Sequence, residues 1–177
     1  MKRSSKRWPR PRNASTRCRP KSYLVQLTRH QLTEPQSELV PLLMHCTNDA
    51  ERIADHTEII LQLTERLTKT DKKISEAGRK DLKKMWEVLN DQQKNVIAAL
   101  GSDNPETLKF ALKDQRKISK MADKFESNHI DRLRKGNCLM ANGIIFIEML
   151  GELEKIGAHL ENIAERTPEI QKHYIEL

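Results

Sequence analysis

Residues 33–67 read TEPQSELVPLLMHCTNDAERIADHTEIILQLTERL, and this stretch decides the fold class. Apolar side chains recur at Leu39, Leu43, Cys46, Ala50, Ile53, Ile60, Leu63 and Leu67. Those spacings of three, four and seven place them on one face of a helix. Thr33 and Gln36 form a capping box at its start, and Pro35 suits the first turn, where the N–H has no intrahelical partner to lose. The spacing predicts a helix over 34–67.

Three further helices follow. One over about 72–100 carries Leu82, Met85, Leu89, Val96 and Leu100, with Gly101 as the residue just past its end. Asn104 then caps a helix that opens on Pro105, shows Leu108, Leu112, Ala122, Phe125 and Leu133, and stops at Gly136. The last begins near Asn137 or Cys138 and shows Leu139, Phe146, Leu150, Leu153, Ile156, Leu160 and Ile163. It is expected to stop before Pro168. Rods of about 30 residues, or about 45 Å, joined by short turns can only fold back on one another. The fold class is all-α, an antiparallel bundle of four long helices.

Composition agrees. The chain has 177 residues, 32% charged and 4% aromatic, with 6 Gly and 7 Pro. This suits one domain of long amphipathic helices and not a β-sandwich. No apolar run reaches the roughly 18 residues of a membrane span, so the chain as given does not cross a bilayer. The net charge of +7 is concentrated at one end. Lys2, Arg3, Lys6, Arg7, Arg10, Arg12, Arg17, Arg19, Lys21 and Arg29 are joined by no acid before residue 34, leaving a net charge of −3 on the remainder. Residues 1–21 therefore read as a disordered basic arm, and residues 22–177 as the bundle. A nucleic-acid role for the arm ranks low, because the arm has no fold of its own and the body is acidic.

Cys18, Cys46 and Cys138 lie far apart and read as reduced thiols of a cytosolic protein, with Cys46 and Cys138 as small core residues. Met85 and the other methionines read as core filler, and Trp86 is expected to cap the core. Neither a nucleophile–base arrangement nor a Gly-rich phosphate loop is present, so the chain does not read as an enzyme.

Two helices carry nearly the same sentence. Asn48-Asp49-Ala50-Glu51-Arg52-Ile53-Ala54-Asp55-His56 aligns with Gly151-Glu152-Leu153-Glu154-Lys155-Ile156-Gly157-Ala158-His159. The second continues Leu160-Glu161-Asn162-Ile163-Ala164-Glu165. The constant offset of 103 indicates an internal duplication. Glu51 and Asp55, four apart, share a helix face that Glu58 extends, while Ile53 points the other way. Carboxylates at this spacing offer oxygen ligands to Mg²⁺, Mn²⁺ or iron, although exposed helix faces carry such pairs routinely. His45, His56 and His159 read as helix-surface or core-edge residues.

The segments ERIADH at 51–56 and EKIGAHLENIAE at 154–165 resemble the signature of PhoU-domain proteins. Tyr23–Thr28 ahead of the first copy and His129–Cys138 ahead of the second fit as well, and are similar to the PhoU-like module of bacterial sodium/phosphate cotransporters. The resemblance covers about residues 22–166. It implies a repeat of three helices ending in the motif. The second repeat is then complete over 72–166, while the first keeps only its last helix, 34–67, with the basic arm in place of the other two.

The resemblance further implies a non-enzymatic regulator of phosphate transport, cytoplasmic or peripheral to the inner face of the membrane, whose partner is a phosphate transporter or another membrane-associated transport protein. It implies binding of a divalent metal or an iron or zinc cluster through ExxxD pairs. By position Glu51 and Asp55 match such a pair, whereas only Glu154 does in the second copy, where Ala158 stands at the Asp position. The competing expectation is a metal-free helical scaffold for protein association. Under either, an uncovered stripe left by the missing helices is compatible with a homodimer.

Overall fold

A computed structural model describes residues 19–29, 31–69, 74–101, 105–136 and 140–175. It contains α1 (Arg19–Leu27), α2 (Glu34–Lys69), α3 (Glu76–Gly101), α4 (Pro105–Arg134) and α5 (Met140–Ile175). The four long helices are those expected, and α1 is an addition. It takes residues 19–21 of the supposed arm into a helix, while residues 1–18 lie outside the described residues.

The return half of the capping box forms as anticipated. Thr33 N–H donates to Gln36 Oε1 at 3.0 Å, and Ser37 N–H to the Thr33 carbonyl at 2.9 Å. Ser75 caps α3 by accepting from Gly78 N–H at 3.2 Å. Gly136 ends α4 with φ of 69°, the left-handed geometry that favours glycine, and donates to the Leu133 carbonyl. Gly101 is the last helical residue of α3 rather than the first beyond it. The caps expected at Asn104 and at Asn137 or Cys138 fall outside the described residues.

Pro168 does not stop α5, which runs on to Ile175. The ring removes one backbone bond, but the two turns beyond it are anchored from outside the helix. Gln171 Nε2 donates to the Ala99 carbonyl at 2.7 Å, and the buried His173 meets Glu38 at 3.2 Å.

The helix directions follow from cross-contacts. Asp49 meets His159 while His56 meets Glu152, so α2 and α5 are antiparallel. Gln92 reaches Gly157 and Gln171 reaches Ala99, so α3 and α5 run parallel. Asn95 meets Asp114 while Asp81 meets Arg132, so α4 runs antiparallel to α3, and it packs on both α3 and α5. The main core lies inside α3–α4–α5, where Met85, Val96, Ala111, Ile118, Phe146 and Ala164 are almost wholly buried. In contrast, α2 packs on α5 and on the short α1 alone.

That one-sided contact corrects two expectations. Ala50 is exposed, and its neighbour Asp49 takes the buried position. Trp86 is 55% exposed and caps nothing, although the adjacent Met85 is fully enclosed. Cys46 is half-buried and its thiol is free. Burial raises the pKa of that thiol, the nearby Arg166 opposing the rise.

Candidate functional site: a reciprocal histidine–carboxylate seam

The two copies of the repeated sentence face each other. Position 49 plus 103 is 152, and position 56 plus 103 is 159, so Asp49 is the counterpart of Glu152 and His56 of His159. Across the antiparallel α2–α5 contact each carboxylate reaches the other copy's histidine. His159 Nδ1 lies 2.8 Å from Asp49 Oδ1, and His56 Nδ1 lies 2.6 Å from Glu152 Oε2. An ionised carboxylate can only accept, so in each pair Nδ1 carries the proton and donates. Between the pairs the two rings stack, with centroids 5.4 Å apart and planes 22° apart. They sit where the internal twofold of the duplication passes.

Seven residues, or two helical turns, separate the acid from the histidine in each copy. Both therefore lie on one stripe of their helix. Two such stripes laid antiparallel place acid against histidine twice, and that register follows directly from duplication.

The carboxylates are otherwise saturated. Asp49, 6% exposed, also accepts from Asn162 Nδ2 at 3.2 Å and from Arg166 Nη1 at 3.0 Å. The guanidinium is itself fixed by a 2.6 Å bond to the Asn162 carbonyl. Glu152 accepts from Lys155 Nζ at 2.8 Å. Burial works against ionising Glu152, but the hydrogen bonds and positive charge of Lys155 and His56 prevail and hold its pKa below the ordinary 4.5. Cys46, Ile53 and Ile60 pack against the main core beside the seam, so the polar row has apolar flanks. With every carboxylate oxygen engaged and no nucleophile among these groups, the arrangement clamps two helices together.

The metal candidates lie elsewhere. Glu51 is half-buried and Asp55 exposed, both roughly opposite the side of α2 that touches α5; Glu154 is half-buried at the equivalent place on α5. The reciprocal contact makes this unavoidable. If Asp49 and Glu152 face inward across the same interface, Glu51 and Glu154, two residues on and about 200° round, point away from each other. Among the described residues no group of three or more His, Cys, Asp and Glu is placed to hold a metal ion. The pair Glu51–Asp55 and the lone Glu154 are not brought together.

The second copy shows why its glycine is there. At the middle of the three-helix core, Gln92 Nε2 donates to the Gly157 carbonyl at 3.0 Å. A Cβ on Gly157 would overlap Gln115 Oε1 and crowd Ile118 and Gln92. The counterpart on α2 is Ala54, which is exposed and meets no such neighbour.

The histidines of the seam were visible in the sequence as aligned residues, but each alone looked like a surface or core-edge side chain. The signal that identifies them is the acid two turns ahead in both copies, which matters only once the helices are known to meet antiparallel.

Residues 82–167 match the family model of the PhoU domain. The match runs from Leu82 in α3 through α4 and the α5 half of the seam. Searches of curated proteins and of solved structures returned no match.

Proposed function

We propose that this chain is a PhoU-like regulatory module of phosphate transport and homeostasis, acting by binding another protein and not by catalysis. The observation that carries this is the PhoU-domain match over 82–167, whose α5 motif is repeated in α2 and clasped to it by the reciprocal seam. The PhoU domain is a regulatory helical domain, and a rigid rod assembly with a long uncovered helix suits docking better than turnover.

The partner in this reading is a phosphate transporter or associated transport protein, met at the inner face of the membrane. The module corresponds to the cytoplasmic part, or a fragment, of a sodium/phosphate cotransporter system. No described helix is long and apolar enough to cross a membrane, and the attachment in this reading is peripheral. The side-chain donors do not fit a multi-ligand metal centre within one chain. Glu51 and Asp55 supply two carboxylates, so a divalent ion held there would draw its remaining oxygens from water or from a partner.

The test is phosphate uptake in a bacterial host whose own phosphate regulator has been deleted. Expression of the chain should shift radiolabelled phosphate uptake at high external phosphate, and Asp49→Ala combined with Glu152→Ala should abolish the shift. Unchanged uptake across all phosphate concentrations, with the protein soluble and folded, rejects the reading in favour of a scaffold unrelated to phosphate.

A further inference from the structure

The back of α2, opposite α5, is a helix face with a definite charge. Opposite the α5 contact run Glu51, Asp55, Glu58, Gln62 and Glu65, spaced four, three, four and three apart so that they form one continuous row. Asp55, Glu58, Gln62 and Glu65 are exposed. Among the described residues Asp55, Glu58 and Glu65 enter no ion pair, unlike Asp49 in the seam and Glu38 against His173. Beside this row lies one of Ala50, Ala54, Thr57, Leu61 and Thr64, all exposed.

The geometry points to the chain's own basic arm, residues 1–18, as the occupant of this face. Its composition is complementary: Lys2, Arg3, Lys6, Arg7, Arg10, Arg12 and Arg17 stand without a single Asp or Glu. Its point of departure is also right. The arm leaves from Arg19, the first residue of α1, and among the helices α1 packs on α2 alone. Eighteen extended residues reach about 60 Å at about 3.3 Å each. The row from Glu51 to Glu65 spans only about 21 Å at 1.5 Å per residue. Tethering makes the encounter intramolecular, with an effective concentration on the order of millimolar.

Other occupants fit less well. A second copy laid α2 against α2 sets two acidic rows face to face, and a nucleic acid is repelled by the same row. The docked arm screens the row and sets its basic groups along α2. It competes for that face with any basic segment of a partner, so the chain carries its own competitor.

The interaction is electrostatic and exposed, so added salt weakens it as the Debye length falls from about 10 Å at 0.1 M towards 3 Å at 1 M. The test is tryptic cleavage within residues 2–12 of the full chain, with a synthetic peptide of residues 1–18 as the unprotected reference. At low salt the arm of the wild-type chain should be cut at least about fivefold more slowly than the peptide, and at 0.5 M salt equally fast. The variant Asp55→Lys, Glu58→Lys, Glu65→Lys should lose the protection at low salt, while Asp123→Lys with Glu126→Lys, on the exposed side of α4, should keep it. Equal rates for wild-type arm and peptide at low salt overturn the proposal, as does equal loss in both variants. Protection that grows with protein concentration assigns the face to the arm of a second copy and overturns the intramolecular dock.

Discussion

Helices α2 and α5 carry matching stretches 103 residues apart and have the same length, 36 residues, yet they live in different surroundings. Helix α5 is enclosed by α2, α3 and α4, whereas among the described helices α2 leans on α5 and is touched otherwise only by α1. Position by position the sequence has followed the environment. Phe146, Leu153, Leu160 and Gly157 in α5 are buried. Their counterparts in α2 are Leu43, Ala50, Thr57 and Ala54, the first half-buried and the rest exposed. What stays the same is the face the two helices share, where Asp49 and His56 answer Glu152 and His159. Duplication supplied the stripe; burial decided which other positions remained large and apolar.

The largest test of that contrast exchanges matched positions. Phe146→Ala should cost about 3–5 kcal/mol in urea unfolding, whereas Leu43→Ala at the same repeat position should cost about 1, since the site is half open. Equal losses would show that α2 is enclosed as α5 is. Next in size is the seam. Asp49→Ala strands His159, Asn162 and Arg166 together, and because Arg166 is about 30% exposed the cost should fall near 1–3 kcal/mol rather than the larger value of a fully buried pair. Hydrogen exchange should then quicken across α2 and remain unchanged in the centre of α4. Acceleration throughout would mean that α2 and the body open as one unit.

A smaller difference separates the two small residues of the motif. Replacing a helical glycine by alanine normally stabilises by up to about 1 kcal/mol, but Gly157→Ala should destabilise by about 1–2, because the methyl group displaces Gln115. Ala54→Gly should cost about 1 kcal/mol through backbone freedom alone.

The two regions also separate in pH. Glu152 is held below 4.5. As pH falls through 4.5 the unfolded chain takes up its proton first, so the seam's contribution, present above that pH, is lost as the folded carboxyl is titrated. Desolvation, with Arg132 adding, lowers the pKa of His129 in the α3–α4–α5 body below 6.5. Its proton uptake likewise favours the unfolded chain, so body stability declines from about pH 6.5 downward. His129→Gln should flatten the upper window and leave the lower one, as read by thermal unfolding across pH 3–8. The smallest effect belongs to the back of α2, where Asp55→Ala should change stability by less than about 0.5 kcal/mol.

Much of this was legible beforehand. Four helices, the capping box at Thr33 and the stop at Gly136 follow from local chemistry that tertiary packing had no cause to override. The duplication was equally plain. The seam was not, because reciprocity is a property of two helices in register and neither His56 nor His159 announces it singly. Ala50 falls inward by apolar periodicity, which marks a broad arc, while the number of neighbours sets how much of that arc is covered. Trp86, expected to cap the core beside Met85, lies one residue round the helix and faces out. The proline at 168 failed as a stop because Gln171 and His173 found partners outside their own helix.

The isolation of α2 has a thermodynamic consequence. A helix attached along a single side can swing away while the contacts among α3, α4 and α5 persist, and the expected behaviour is opening in two cooperative units of unequal stability. Partial opening then exposes Cys46, Ile53 and Ile60 together with the imidazoles, and presents a fresh adhesive strip on the inner rod. The free energy of that excursion is set by a few hydrogen bonds and a narrow apolar margin. It is therefore the quantity that a single substitution, a proton or a competing helix can tune while the rest of the architecture stays intact.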